Sequence, residues 1–325
     1  MQMTRPQWMA ASAGREDAMS WENPFHEGEL KAQKLAGEQE QGESNGAMIG
    51  NKIMSGAVNF IRAQKMAVVS SRDAPGRRWA SVVLGKAGFL QPSSDRRSLT
   101  MAIDPAENDA SDPLWENLKA DVHIGVLIIE LASRRRLRVN GLAVRANDAL
   151  AVTVEESFAN CPKYITRREI KIEPREQIAK GERVFQGHKL GKPQILMVVA
   201  TDVLFVATGH PQRGADASHR GGNPGFVEVV DANTLRIPDY SGNSLFNTLG
   251  NLLVDPGYGM LIPNFQSGRM LQLTGTAKVT WSGNDKEQRT GGTNRFVEYH
   301  VDRWRESALP ARFSATVLDY SPYNF

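Results

Sequence analysis

The order of short segments between residues 51 and 173 returns between residues 192 and 302, and this repeat limits the fold more than any other feature. Gly125-Val-Leu-Ile and Gly259-Met-Leu-Ile open matching apolar runs, and sixteen positions on each has a glycine, Gly141 and Gly275. Between them Ser133-Arg-Arg-Arg-Leu-Arg-Val-Asn-Gly aligns with Ser267-Gly-Arg-Met-Leu-Gln-Leu-Thr-Gly. Upstream, Leu114–Leu118 matches Leu245–Leu249, and Ser98-Leu-Thr-Met matches Thr234-Leu-Arg-Ile. Each copy opens with a helix-like segment (51–64; 192–200) and a strand (66–71; 203–208). Chance could give any one match, but matches kept in one order point to duplication. A unit of one helix and about six short strands in roughly 130 residues suits a small antiparallel barrel, since full or partial closure removes exposed edges.

Taken in order, residues 1 to about 24 read as a poorly ordered tail, Phe25–Gly37 as a short helix and Gln39–Gly46 as a polar break. Residues 1–45 are therefore expected to form an N-terminal extension, with barrels at 46–183 and 184–325. Ile53, Met54, Ala57, Val58, Phe60 and Ile61 recur at helical spacing. Strands are expected at 66–71, 79–84, 98–103, 124–131, 137–145 and 169–172, a short helix at 114–118, and a polar connector over 174–188. The fold expected is mainly β (α+β), two tandem six-stranded split barrels paired within one chain.

A chain of 325 residues is longer than most single cores, in keeping with two domains. Its 41% hydrophobic and 23% charged residues are ordinary for a soluble globular protein. A net charge of +3 gives little reason to expect a nucleic-acid partner. No apolar run approaches the roughly 20 residues that span a bilayer, and the first residues lack the pattern of a secretory signal. A single cysteine, Cys161, excludes an intrachain disulfide framework and fits a reducing, cytoplasmic setting. It precedes Pro162-Lys163, where a helix could start and lower its thiol pKa; a buried inert cysteine is the plainer reading. Dinucleotide, P-loop, zincin and nucleophile-elbow motifs are missing, and the six histidines have no metal-ligand spacing.

The stretch 212–252 is the most polar segment set between strands. Ser218-His219-Arg220-Gly221-Gly222 brings a hydroxyl, an imidazole, a guanidinium and two glycines into five positions. That mix suits an anion, because glycine lets backbone N–H groups approach and arginine offers a bidentate, permanently charged fork. A strand is expected over Phe226–Val230 and another ending at Pro238-Asp239-Tyr240, followed by an Asn-rich segment with Asn243, Asn247 and Asn251. In the first copy Arg136 and Arg138 share one strand face by period-two alternation, opposite Leu137 and Val139. Plainer readings stay open: a capped surface loop at His219-Arg220, a solvated rim at Arg134–Arg138, and helix caps at Asn243 and Asn247.

Each half resembles the pyridoxamine 5'-phosphate oxidase-like, FMN-binding split-barrel family. The second half does so through SHRGGNPGFVEVVDANTLRIPDYSGNSLFNTLGNL and GRMLQLTG, the first through ASVVLG, LTMA, DPLWENL, RRRLRVNG and FANCPKYI. The resemblance covers nearly everything from residue 46 onward. It implies two barrels side by side with FMN in the groove between them, one flavin site per chain, and a flavin-dependent oxidoreductase acting on a small molecule. By position it implies cofactor contacts from Gly225–Val230 with Phe226, from Leu235–Tyr240 with Pro238 and Asp239, and from Asn243, Ser244 and Asn247. Arg136 and Arg138 would reach across from the other half. The family's phosphate-binding basic residues are not found at Gly225–Val230 or Ser244-Leu245, so that role would pass to Ser218, His219, Arg220 and Gly221. A non-catalytic flavin, haem or deazaflavin module and a cofactor-free pair of barrels remain as competing readings. Association of two chains is left open.

Overall fold

The computed structural model describes residues 23–325 apart from 106, 174–182 and 311. Most of the expected tail and the first part of the connector lie outside the described residues. Among the described residues, helices α1 (Glu27–Ala36), α2 (Gln39–Gly46) and α3 (Val58–Ala63) come first. Strands β1 (Met66–Arg72), β2 (Arg78–Leu84), β3 (Leu90–Pro92) and β4 (Ser98–Ala102) follow, then helix α4 (Pro113–Ala120). Strands β5 (His123–Glu130), β6 (Arg135–Ala146), β7 (Ala149–Ala159) and β8 (Arg167–Glu173) complete the first half.

The second half holds β9 (Phe185–Gly187), α5 (Lys192–Ala200), β10 (Val203–His210), β11 (Gly214–Gly221), β12 (Glu228–Val229) and β13 (Thr234–Asp239). Helix α6 (Asn247–Leu252) and strands β14 (Gly257–Asn264), β15 (Arg269–Thr280), β16 (Arg295–Ala308) and β17 (Arg312–Asp319) close it.

The two large sheets have one strand order. The first runs β2-β1-β5-β6-β7-β4-β3 and the second β11-β10-β14-β15-β16-β13-β12, with β9 added on β16. Neither path closes on itself, and each has seven strands where six were expected. β8 and β17, the strands that follow β7 and β16, pair with each other in a separate two-stranded sheet.

The apolar runs follow from burial on both faces. In β1, Ala67 and Val69 enter the first core, while Met66 and Val68 enter a core between the sheets. In β10, Leu204 and Val206 enter the second core, while Val203, Phe205 and Ala207 face the shared one. Period-two alternation between two dry faces leaves no polar positions, hence MAVV and VLFVA. At roughly 1.5–3 kcal/mol per fully buried large apolar side chain, the shared core is a substantial bond between the halves.

The glycines matched in the sequence do matching work. A Cβ at Gly141 would lie 1.8 Å from Thr153 O, and one at Gly275 2.0 Å from His300 O; both sit at a shift of register in the β6–β7 and β15–β16 pairings. Gly125 packs against the backbone of Ala215–Ala217, and Gly259 against the backbone of Arg78 and Trp79. Each thus lets its strand touch the other half's first hairpin.

The expected helix over 51–64 is shorter, a 3-10 turn at Ser55–Ala57 and then α3. Gln39–Gly46 is a helix and not a break: Gly46 leaves room for the Phe25 ring and Asn45 donates to Asn243 O at 2.8 Å, so docking replaces an apolar stripe. Helix α1 is held by a capping box between His26 and Glu29 and stopped by Gly37 at φ 70°. Among the described residues no helix is long and apolar enough to cross a membrane.

Candidate functional site

The Ser218–Gly222 run is not a loop. Residues through Gly221 belong to β11, paired with β10 from Val203↔Gly221 to His210↔Gly214. The expected strand over Phe226–Val230 shrinks to Glu228–Val229. Side chains alternate along β11: Ala215, Ala217 and His219 share one face, with Ala217 in the shared core, and Ser218 and Arg220 take the other; at the strand's end both His219 and Arg220 line a cleft.

That cleft lies between the halves and has a cavity volume of about 110 Å³. Arg136 and Arg138 of β6 line it, with Asn160, Cys161, Lys163 and Tyr164 of the β7–β8 connection. The second half adds His219, Arg220 and Gly221, then Asp239, Tyr240, Gly242, Asn243, Ser244, Phe246, Asn247, Thr248, Leu249 and Arg295. The expected site residues Ser218, Gly225, Phe226 and Pro238 stand outside. The Ser218 hydroxyl is taken by Arg138 Nη2 (2.5 Å) and Thr248 Oγ1 (3.0 Å). Phe226 belongs to the second core, Gly225 O accepts from Arg289, and Pro238 pairs with Phe296 across β13–β16. Lys163, Tyr164 and Arg295 were not foreseen; Arg295 comes from β16, far along the chain, and carries no local signal.

The charges are unequally matched. Arg295 is neutralised by Asp239 (2.9 Å) and Glu38 (3.2 Å), and Glu38 also accepts from Ser244 Oγ at 2.6 Å. Arg138 donates to Ala217 O, Asn247 Oδ1 and Ser218 Oγ, with Asp216 3.8 Å away. Arg136, Lys163 and Arg220 have no carboxylate partner among the described residues. Arg136 donates to Cys161 O (2.9 Å) and approaches His219 Nδ1 (3.4 Å), and Arg220 donates only to His219 O (3.2 Å).

Burial, and after it Arg138, holds the Arg136 guanidinium down to about 9, still a cation at neutral pH. Burial and then Arg136 and Arg220 keep His219 well below its ordinary value, so its imidazole is neutral. With Nδ1 facing a donor, the ring proton sits on Nε2, a buried N–H that has no partner. An unpaired donor beside the unmatched cations Arg136 and Arg220 is what an anion would satisfy.

Backbone strain gathers here too. Of the eight non-glycine residues with positive φ among the described residues, Tyr164 (64°), Ser244 (60°) and Phe246 (59°) line the cleft. Tyr164 is held by its hydroxyl on Ser241 O (2.8 Å) and by stacking on Tyr240 at 4.7 Å. Cys161 begins no helix, because residues 160–166 are irregular.

The residues present fit the anionic head of a mononucleotide. The cavity is smaller than the roughly 300–1,000 Å³ of pockets that enclose a whole drug-sized ligand, so a flavin would extend into the open mouth. At the position of β15 that aligns with Arg138 stands Gln272. There Gln272 Nε2 donates to Ala80 O (2.9 Å) and lies 3.4 Å from Ser81 Oγ, as Arg138 does to Ala217 and Ser218. Arg305, on Gln272 Oε1 at 3.0 Å, is closed by Asp109 at 2.6 Å.

Behind the cleft lies a buried acidic network. Asn247 Nδ2 donates to Glu29 (2.6 Å), and Asp216 accepts from Asn140 (2.9 Å) and Asn251 (2.8 Å). His26, Glu27 and His210 also meet here, but both imidazole Nδ1 atoms accept backbone N–H groups. Their Nε2 atoms therefore carry protons, directed at Asn251 (3.1 Å) and Glu27 (2.9 Å), so the cluster is built as a hydrogen-bond network and not as a metal cage.

Burial and then Asp216 push Glu156 up to about 8, and burial with Glu156 raises Glu29. Above about pH 4.3 the unfolded chain has released protons that these folded carboxyls keep, so they lower stability as pH rises toward 8. Below about pH 6.5 His26, held down to about 4 by burial and His210, and His219 act in the opposite sense. Stability is therefore expected to fall between pH 6.5 and 8 by up to about 1.4 kcal/mol per pH unit for each such carboxyl. Urea midpoints at the two ends check it: Glu156→Gln should flatten the decline, and a wild-type stability that rises with pH would count against it.

No family model and no curated protein matches the chain. Solved structures similar to it include Group A Streptococcus HupZ, at 12% identity and TM-score 0.29, covering 41% of this chain and 98% of that one. A FAD-binding protein from Mesorhizobium loti matches at 10% identity and TM-score 0.26, over 39% of this chain and 99% of that one. A Clostridium acetobutylicum protein of the pyridoxinephosphate oxidase family matches at 9% identity and TM-score 0.24, over 39% and 92%. Likeness at this level says nothing about what this chain binds.

Proposed function

We propose that the cleft holds FMN, one per chain, and that the protein is a flavin-dependent oxidoreductase built from two fused split barrels of the pyridoxamine 5'-phosphate oxidase-like type. One observation carries the reading: Arg136 and Arg220 lie without carboxylate partners among the described residues, beside the orphaned His219 N–H, in a cleft made by both halves. The resemblance in sequence puts an FMN groove at this junction. The shared strand order, the matching glycines and Gln272 in place of a second Arg138 support two barrels with one site between them.

Arg220 and the neighbouring Gly221 backbone would neutralise and seat the phosphate, and Arg136 would offset negative charge elsewhere on the group. When bound, FMN supplies the electron-carrying chemistry. Asn247 and Ser244 act as supports, since Arg138, Glu29 and Glu38 occupy their polar atoms. Tyr164 and Tyr240 form a stacked pair at the wall, firm enough to orient a flat ring system.

Losing a charge-assisted contact of about 1.5–3 kcal/mol, Arg220→Ala should raise the Kd for FMN by roughly 10–100-fold. Fluorescence titration measures this, and unchanged affinity would remove the phosphate from Arg220. Anaerobic bleaching of the bound flavin by NADH, NADPH or a candidate amine supports turnover; bound flavin that none of them reduces favours a storage module.

A further inference from the structure

Cys161, the only cysteine of the chain, is half-buried in the wall of the cleft. Its sulfur accepts the Lys163 backbone N–H at 3.4 Å, and its carbonyl accepts Arg136 Nε at 2.9 Å. The residue is thereby fixed next to Arg136, with Arg220 on the same cleft, while the Lys163 ammonium lies over the Tyr323 ring at 5.3 Å. A second observation is independent of the sulfur: His219, 3% exposed, lines this cleft and its Nε2–H has no partner. A low-dielectric cleft with an excess of one sign of charge concentrates small molecules of the other sign.

We propose that Cys161 is a modification site for anionic disulfides, the class to which oxidised glutathione belongs. Carboxylates of the disulfide are drawn to Arg136, Lys163 and Arg220, and its S–S bond is presented to Sγ. The Cys161 thiolate attacks one sulfur, a new S–S bond forms to Sγ, and the old one breaks. The other half leaves as a thiolate and takes up a proton from water. Cys161 is oxidised, the leaving half is reduced, and no further oxidant is needed. The adduct fills the cleft and blocks anions that would otherwise enter it.

The test uses the full flavin-free chain and two reagents of opposite charge, the dianion 5,5'-dithiobis(2-nitrobenzoate) and the dication cystamine. Each rate constant is divided by that for the same chain unfolded in urea, which removes intrinsic reactivity. The native-to-unfolded ratio for the dianion should exceed that for the dication by about 10-fold or more, and the gap should close near 1 M salt. Lys163→Gln and Arg220→Gln should each narrow it, while the salt dependence of the unaltered chain needs no variant. Oxidised glutathione should leave one adduct, on Cys161, by mass spectrometry. Equal ratios for the two reagents, or a native thiol that reacts with neither, would overturn the proposal. A chain that discriminates by charge but takes up no FMN would sink only the flavin reading. One that binds FMN but does not discriminate would sink only this one.

Discussion

Arg138→Met is expected to lower the free energy of unfolding by about 3–5 kcal/mol, among the largest effects of a single change in this chain. Arg138 leaves β6 of the first half and ends in the second, on Ala217 O, Asn247 Oδ1 and Ser218 Oγ. Asp216, 3.8 Å away, completes its surroundings, and the side chain is 8% exposed. Methionine fills much of the volume but leaves the Asn247 amide oxygen and the Ala217 carbonyl without this donor, and the buried Asp216 carboxylate without its nearby cation. Lysine keeps the charge yet cannot reach three acceptors in different directions, so Arg138→Lys should recover only part of the loss. Urea unfolding of the three proteins, followed by tryptophan fluorescence, gives the comparison; a methionine variant within about 1 kcal/mol of the parent would show that Arg138 does not join the halves.

The second large effect is expected at the paired glycines. Gly259→Ala places a Cβ 2.5 Å from Arg78 O and 2.9 Å from Trp79 N, while Gly125→Ala places one 2.5 Å from Ala215 O and 2.7 Å from Ala217 N. Backbone on both sides leaves nothing flexible to yield, so the halves must separate locally. Overpacking costs typically about 1–3 kcal/mol, and the double variant should lose close to the sum, since the two contacts use different hairpins. Differential scanning calorimetry reads the loss. Alanine tolerated at both positions without a change in Tm would mean that the close approach between halves is not needed.

The fold was legible wherever apolar residues recur in a run covered on both faces. Met66–Val69, Val203–Ala207 and Gly125–Ile129 declare themselves because no polar residue is tolerated between two cores. The β11 strand did not, because Ser218, His219 and Arg220 are polar and their strand conformation comes from pairing with β10. Tertiary pairing overrides local preference there. Arg136, Arg138, His219 and Arg220 could be named from the sequence since each lies in a dense polar run. Arg295 and Lys163 could not: one arrives from β16 and the other from an irregular connection, and only folding brings them together. Ser218 stands outside the cleft lining, its hydroxyl being committed to Arg138 and Thr248.

The counterpart of Arg138 also bears on stoichiometry. Gln272 stands where Arg138 has its equivalent contacts, and Arg305 is matched by Asp109, so these residues leave no unmatched positive charge there. Titration of the purified, stripped chain with FMN, with mass identification of whatever co-purifies before stripping, tests one flavin site between the halves. The purified protein should be yellow, release FMN and rebind one equivalent per chain. A colourless chain that takes up no added flavin, or two equivalents bound with equal affinity, would contradict it.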